Sequence, residues 1–147
     1  MIFSTATGYA LQALAALPGD GSFRLAKHLA ETLNLPGPYL AKILQSLVQA
    51  GLLESVRGPR GGFRLARPPG SITIGQVVEA LEGPDALKGC VMGFEHCGPD
   101  NPCPLHPVWS QLQAQIDASL TQATLEDLQR MPPRRLARTP SPASHPP

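Results

Sequence analysis

An amphipathic helix followed at once by two short strand segments is the feature that most constrains the fold of this chain. Residues 38–50 carry apolar side chains at the i, i+3, i+4, i+7 and i+8 positions of a helix. Gly51 follows and can adopt the left-handed conformation that ends a helix. Residues 52–56 and 63–66 are predicted strands, and the six residues between them include three glycines and a proline. This turn composition predicts a β-hairpin.

Two shorter helices are predicted before this unit, over residues 5–17 and 24–33. Three short helices followed by a β-hairpin are typical of a winged helix-turn-helix domain. The spacing of Thr73 and Gln76 predicts a capping box for a further short helix that ends near Glu82. We therefore expect a mainly α fold with a β-hairpin wing, in which residues 1–82 form the winged helix-turn-helix domain.

The second half of the chain is predicted to hold a loop, a long helix and a tail. Residues 83–106 contain four glycines, four prolines and little periodicity, so they are expected to form a loop. A long helix is expected within the region 107–130, and residues 131–147, rich in proline and arginine, are expected to be disordered. The apolar stripe of the long helix consists of Trp109, Leu112, Ile116 and Leu120.

The charge is distributed unevenly, although the formal net charge is only +1. Residues 1–70 carry seven basic and three acidic side chains, 71–130 carry two and eight, and 131–147 carry three and none. A basic first part predicts an anionic partner for that part of the chain.

Membrane and secreted classes are not favoured by the sequence. No uncharged apolar run approaches the roughly 20 residues of a membrane span. The apolar stretch 9–17 has helical periodicity and no preceding Lys or Arg, so it is not interpreted as a signal peptide. We therefore expect a cytoplasmic protein without a membrane partner.

The third helix and the wing carry the residue types that read double-stranded DNA. A winged helix places its third helix in the major groove, while basic side chains of the wing contact the backbone or minor groove. Three of the candidate DNA-binding residues have an alternative interpretation without DNA: Tyr39 as a packing residue, and Lys42 and Gln45 as solvated surface residues. The fold also serves protein interactions. The candidate DNA-binding residues are Tyr39, Lys42, Gln45 and Ser46 on the helix, and Arg57, Arg60, Gly61 and Arg64 in the wing.

All three cysteines lie within fourteen residues of one another. Cys90, Cys97, Cys103 and His106 have the pattern C-x6-C-x5-C-x2-H. Thiolates are soft ligands that select zinc, Cu(I) or iron–sulfur clusters, and an imidazole can supply a fourth ligand. His96 is a competing ligand, and three free thiols in a loop are the alternative without a metal.

These features together resemble the Rrf family of bacterial winged-helix repressors, over about residues 1–130. The resemblance implies a homodimer in which the long helix and its apolar stripe form the dimerisation contact. It also implies that each subunit holds an iron–sulfur cluster on Cys90, Cys97 and Cys103. IscR-like members of that family have a histidine at the place of His106, which favours [2Fe-2S] over [4Fe-4S]. NsrR-like members can instead take the fourth cluster ligand from an acidic residue of the partner subunit, near the place of Gly8. The gap between the first two cysteines here is one residue longer than in IscR-like members. The matching stretches are 9–11, 38–44, 50–52, 55–63, 72–74, 82–83 and 124–125, with the cysteines and Trp109.

The resulting expectation is a sequence-specific transcriptional regulator, in the form of a repressor, that binds a near-palindromic operator. Its DNA affinity is expected to respond to redox state, nitric oxide or iron–sulfur status through the cluster. An enzyme is not expected, because no set of acid and base residues suggests a substrate pocket. The alternative is a winged-helix regulator with a structural zinc or a plain thiol redox sensor. A small electron carrier and an interaction module without DNA binding are the more distant alternatives.

Overall fold

A computed structural model describes residues 2–132 and shows six α-helices and one β-hairpin within them. The expected tail, 131–147, lies outside the described residues except for its first two. No helix in the described part of the chain is long and apolar enough to cross a membrane. The elements in chain order are α1 (Thr5–Ala16), α2 (Ala26–Leu33), α3 (Gly37–Gln49), β1 (Leu53–Val56), β2 (Gly62–Leu65), a 3-10 turn (Pro69–Ser71), α4 (Ile74–Glu82), α5 (His106–Gln122) and α6 (Leu125–Gln129).

The core lies between α1, α3, α4 and the base of the hairpin. Four of the five apolar positions that predicted α3 are buried, because the same face of this helix packs against α1, α4 and β1. The fifth, Val48, is partly buried against the same core. Full burial of a leucine or isoleucine side chain contributes about 1.5–3 kcal/mol, so this cluster stabilises the domain strongly. The side chains with no exposed surface include Leu14, Leu40, Leu44, Leu47, Ile72, Val77 and Leu125.

The hairpin pairs β1 and β2 in antiparallel register, with Leu53 opposite Leu65 and Val56 opposite Gly62. A third segment joins its edge, since the Arg24 N–H donates to Phe63 C=O at 2.9 Å and the Phe63 N–H donates to Arg24 C=O at 2.8 Å. The prediction that the second helix begins at residue 24 is therefore wrong. Helix α2 begins at Ala26 because Arg24 is held against β2.

Two consecutive glycines close the wing, and each is required for a different steric reason. A Cβ on Gly61 would lie 2.0 Å from the carbonyl oxygen of Val56. Gly62 has a φ of +117°, and a Cβ there would lie 2.2 Å from the carbonyl oxygen of Arg24. Only glycine fits at both positions, so this pair determines where the chain turns back toward α2.

Helix α4 begins with the expected capping box. The Gln76 N–H donates to Thr73 Oγ1 at 3.1 Å, and the Thr73 N–H donates to Gln76 Oε1 at 2.9 Å. At its other end, Glu82 Oε1 accepts from the Ser4 N–H and from the buried Thr7 hydroxyl, the latter at 2.8 Å. Glu82 therefore joins the end of α4 to the start of α1.

We expect Glu82→Gln to reduce the acid sensitivity of the fold. Partial burial acts to raise the pKa of Glu82, but donation by Ser4 and Thr7 outweighs it and holds the pKa below its ordinary value of 4.5. A lowered pKa in the folded state adds stability above the unfolded pKa, and this stability is lost as the pH falls through the folded pKa. Urea unfolding between pH 7 and pH 3 should show a smaller loss of unfolding free energy in the variant. An equal loss in both proteins would contradict this assignment.

Helices α5 and α6 return the chain to the winged-helix core. Helix α5 begins at His106, one residue before the predicted start, and α6 begins after a capping box formed by Thr124 and Asp127. Leu125 of α6 has no exposed surface and lies in the main core. The Gln129 side-chain amide donates to the carbonyls of Leu14 and Leu17 at the end of α1, at 3.2 and 3.3 Å. The winged-helix core therefore includes α6, which lies beyond the expected boundary at residue 82.

Candidate DNA-contacting surface and cysteine site

The outward face of α3 is polar and carries one cation. Lys42, Gln45 and Ser46 are exposed because the opposite face of α3 packs in the core. The Ser46 hydroxyl donates to Lys42 C=O at 3.1 Å, within the helix. Tyr39 is 43% exposed and makes an edge contact with the ring of Tyr9, with 5.9 Å between ring centroids. Tyr39 thus combines the packing and surface roles that the sequence left as alternatives.

The tip of the wing presents two free cations. Arg57 and Arg60 are exposed, and neither forms a hydrogen bond or ion pair with another residue in the described part of the chain. Gly61 was expected among the DNA-binding residues, but it is buried against the backbone of Val56. The structure gives Gly61 a role in shaping the turn that carries the two arginines.

Arg64 differs from the arginines at the tip because it is engaged within the chain. Its Nε donates to Glu54 Oε2 at 2.8 Å, and its guanidinium carbon lies 4.5 Å from the centroid of the Phe23 ring. Both groups of the ion pair are more than 40% exposed, so the pair contributes little to stability. These contacts nevertheless direct Arg64 toward the base of the wing.

The three cysteine side chains lie together, although they are separated by up to thirteen positions in the sequence. Their sulfur atoms are all within 4.8 Å of one another, and Cys90 Sγ is 3.6 Å from Cys103 Sγ. Turns bring them together, since the Gly93 N–H donates to Cys90 C=O at 2.9 Å and Gly98 pairs with Asn101. The predicted grouping of the cysteines is therefore present in the folded chain.

The imidazole of His106 lies at one side of the thiols. Its Nδ1 is 3.6 Å from Cys97 Sγ, and its Nε2 is 3.3 Å from Ser110 Oγ. The group whose ligand atoms all lie within 4.8 Å contains the three cysteines alone, so His106 approaches only part of it. His96, the competing ligand, is exposed and has a φ of +56°. The geometry brings His106 rather than His96 to the thiols.

Local donors give the thiols different acidities. Backbone N–H groups of Phe94 and Met92 outweigh desolvation and lower the pKa of Cys90 to about 7. The Cys103 N–H, at 3.4 Å from Cys97 Sγ, acts to lower the pKa of Cys97, but desolvation and the neighbouring thiols outweigh it and raise that pKa. A bound cation would favour the thiolate form of all three ligands, whatever their acidities without it.

The donor set fits a thiolate-binding metal group. Three soft sulfurs and one imidazole nitrogen are a combination that binds zinc or an iron–sulfur cluster. Two thiolates on one tetrahedral zinc, each about 2.3 Å from the ion, would lie about 3.8 Å apart. The 3.6 Å between Cys90 Sγ and Cys103 Sγ is close to that spacing. The residues present therefore fit both kinds of group.

Two side chains of α5 contact the segment just before Cys90. The indole Nε1 of Trp109 donates to Gly89 C=O at 2.8 Å. The side-chain amide of Gln113 donates to Leu87 C=O and, at 3.3 Å, to Gly89 C=O. The sequence placed Trp109 on the dimerisation stripe and did not single out Gln113. Their spacing of four residues puts both on one helix face, but only the fold shows which loop that face contacts.

Helix α5 has no buried side chain along its seventeen residues. Trp109, Ile116 and Leu120 of the expected stripe are half-buried, and the backbone of Leu120 lies close to Gly75 of α4. Leu112 is 43% exposed and Val108 is 61% exposed. The apolar surface of α5 thus has two parts. Trp109, Ile116 and Leu120 are partly covered by the rest of the chain, while Leu112 and Val108 form an exposed apolar edge.

The family model and two sequence relatives that match this chain are all described as transcriptional regulators. The Rrf2 model, described as an iron-dependent transcriptional regulator, matches residues 3–131. The chain is 39% identical over 132 residues to a protein of Aquifex aeolicus (strain VF5) provisionally named an HTH-type transcriptional regulator, which covers 87% of this chain and 91% of that protein. It is 36% identical over 101 residues to the HTH-type transcriptional regulator IscR of Aliivibrio salmonicida (strain LFI1238), which covers 68% of this chain and 59% of IscR.

Solved structures agree with the sequence relatives. CymR, the global cysteine regulator of B. subtilis, superposes with a TM-score of 0.71 at 32% identity and covers 86% of this chain and 95% of CymR. IscR of T. potens superposes with a TM-score of 0.65 at 33% identity and covers 85% of this chain and 83% of that IscR. The winged-helix fold class is confirmed, and relatives and fold are those of DNA-binding regulators rather than enzymes. The chain belongs to the Rrf2 family of transcriptional regulators.

Proposed function

We propose that this protein is a transcriptional repressor whose affinity for DNA is set by an iron–sulfur cluster on Cys90, Cys97, Cys103 and His106. The observation that carries the proposal is the gathering of three thiols within 4.8 Å, beside the first turn of α5, in a chain of this family. The relatives named IscR add support to this choice of cofactor. The resemblance of His106 to the histidine of IscR-like members favours [2Fe-2S] over [4Fe-4S]. When bound, the cluster supplies a centre that oxidants and nitric oxide can alter.

DNA contact is assigned to α3 and the tip of the wing. Lys42 and Gln45 on the exposed face of α3 are suited to guanine and adenine edges in the major groove. Tyr39 and Ser46 flank them and have hydroxyl groups that suit phosphate oxygens. Arg57 and Arg60 have no internal partner in the described chain, so they are available for the DNA backbone. This division assigns sequence reading to the helix and salt-dependent affinity to the wing.

A homodimer is proposed from the exposed edge of α5. Leu112 and Val108 would leave a large apolar area in water if α5 had no partner. A second copy of α5 is the occupant we assign, with Trp109, Ile116 and Leu120 at the inner border of that contact. Two α3 helices in one dimer would meet successive major grooves about 34 Å apart, which matches a near-palindromic operator. The cytoplasm is the compartment we assign, since the operator is there.

The path from the cysteines to the DNA surface runs through two helices. The cysteine loop joins the first turn of α5, α5 packs on α4, and α4 packs on α1 and α3. A change in the position of α5 would therefore alter either the orientation of α3 or the spacing of the two α3 helices in the dimer. This is a population shift between two arrangements that differ in DNA affinity.

A zinc ion or a plain thiol sensor is the second candidate for this site. The 3.6 Å between Cys90 Sγ and Cys103 Sγ favours it, because this spacing is close to the roughly 3.8 Å expected for two thiolates on one zinc. In that case the DNA-binding part of the proposal is unchanged, while the site contributes to folding or responds to oxidants through its thiols.

Anaerobic purification followed by DNA-binding titration tests the proposal. We expect a brown protein with thiolate-to-iron absorption bands and with iron and sulfide in equal amounts. We also expect a different operator affinity after removal of the cluster, at the same salt concentration. Equal affinity of the two forms would contradict the switch but not DNA binding. A colourless protein that contains zinc would favour the second candidate.

A further inference from the structure

We propose that Trp109 and Gln113 are positioning residues that clamp the segment 87–89 onto α5 and so hold Cys90 beside the other two thiols. The inference rests on the cysteine site described under the proposed function. Gly89 C=O accepts from the Trp109 indole at 2.8 Å and from the Gln113 amide at 3.3 Å, and Leu87 C=O also accepts from Gln113. Cys90 is the next residue in the chain, so fixing the Gly89 carbonyl fixes the start of the site.

The loop before Cys90 has little structure of its own to do this. Residues 84–89 contain no helix or strand. The nearby backbone bond, from the Lys88 N–H to Asp85 C=O at 3.0 Å, stays within the loop. The Lys88–Asp85 ion pair is also internal to the loop, and its two side chains are 69% and 75% exposed. The donors that attach this segment to a helix come from Trp109 and Gln113.

Because the clamp lies on α5, the same helix positions both the first and the last residue of the ligand set, Cys90 and His106. His106 begins α5, and Trp109 follows it by three residues, so both lie on the first turn. The same helix therefore holds the imidazole directly and Cys90 through the clamp. If the clamp opened, the first thiol would separate from the imidazole while Cys97 and Cys103, which lie nearer to α5 in sequence, would stay. Outer contacts that orient metal ligands typically change metal affinity about 10–100-fold when they are lost.

Trp109 is also the single tryptophan of the chain. Its indole N–H is a donor with no acceptor capacity, so the Gly89 carbonyl is a matched partner. Phenylalanine retains most of the ring and removes that donor. Trp109→Phe therefore separates the hydrogen bond from the packing of the aromatic side chain.

The test compares Trp109→Phe and Gln113→Ala with Gln111→Ala in the full-length protein. Gln111 is an exposed glutamine on the opposite side of α5, so it is a matched control for substitution in this helix. Far-UV circular dichroism and the thermal midpoint check that each variant is folded. The first measurement is hydrogen exchange of the peptide 83–95 in reduced, chelator-treated protein. The second is anaerobic titration with Co²⁺, followed by the thiolate-to-cobalt absorption bands.

We expect exchange in peptide 83–95 to become several-fold faster in both clamp variants and to stay unchanged in the control. We expect their Co²⁺ affinity to fall about 10–100-fold. Unchanged exchange would overturn the clamp, and faster exchange with unchanged Co²⁺ affinity would overturn the positioning of Cys90. Failure of the unsubstituted protein to bind Co²⁺ would contradict the metal part of the proposed function. The exchange comparison would then decide the clamp alone, with faster exchange supporting it and unchanged exchange overturning it.

Discussion

Replacing both exposed wing arginines, as Arg57→Ala with Arg60→Ala, is expected to weaken operator binding by about tenfold or more at moderate salt. Each arginine that neutralises a phosphate releases about 0.9 counterion on B-DNA, so losing two contacts should reduce the salt slope by about 2. The structure supports this pair because neither guanidinium has an internal partner in the described chain. The measurement is operator affinity by fluorescence anisotropy over a series of salt concentrations.

Two single variants make this result specific to the wing. Arg130→Ala removes an arginine that pairs with Glu126 at 3.0 Å on α6, and it should leave both affinity and salt slope unchanged. Arg64→Ala should have a smaller effect than the double variant, since its guanidinium is directed to Glu54 and Phe23. A double variant with the affinity of the unsubstituted protein would remove the wing from the DNA surface. DNA contact would then be assigned to α3 without the wing arginines.

Leu125→Ala is expected to destabilise the whole winged-helix domain by about 2–5 kcal/mol, because it leaves a cavity in a fully buried position. Leu125 has no exposed surface and lies in one cluster with Leu14 and Leu44, although it is distant from them in sequence. A domain of this size has a total stability of about 5–15 kcal/mol, so the loss is a large share. Chemical denaturation followed by circular dichroism measures it.

Met131→Ala is the matched comparison for that substitution. Met131 also follows α5 and is apolar, but it is 43% exposed, so its truncation should change the unfolding free energy by no more than about 0.5 kcal/mol. If Leu125→Ala had an equally small effect, α6 would not belong to the winged-helix core. The same result would restore a domain boundary near residue 82.

Local patterns predicted the elements of the winged helix well. The apolar spacing in 38–50 predicted α3 to within one residue at each end, and the capping box at Thr73 predicted the start of α4. These features depend on residues three or four positions apart, so the sequence contains the whole interaction. The second helix was placed two residues too early. Two backbone hydrogen bonds between Arg24 and Phe63 prevent a helix from starting at Arg24, and they join segments almost forty residues apart.

The candidate site shows the same difference between properties that depend on nearby residues and contacts between distant segments. The sequence identified the three cysteines and His106 as one group because metal ligands have a recognisable composition and spacing. It could not assign the partners of Arg64, the steric reason for Gly61, or the contact of Trp109 with Gly89. Each of these depends on what lies opposite the side chain after folding: Glu54 and Phe23, the Val56 carbonyl, and the cysteine loop.

The sequence by itself determined the winged-helix class, the outward face of α3 and the composition of the cysteine site, since periodicity, turn residues and ligand types are local properties. Only the tertiary structure decided which wing arginines have no partner in the described part of the chain, that α6 belongs to the core, and that Trp109 and Gln113 contact the loop before Cys90. The physical reason is that these properties are contacts between distant segments. Their energies arise from burial and from hydrogen bonds that exist only after the chain has folded.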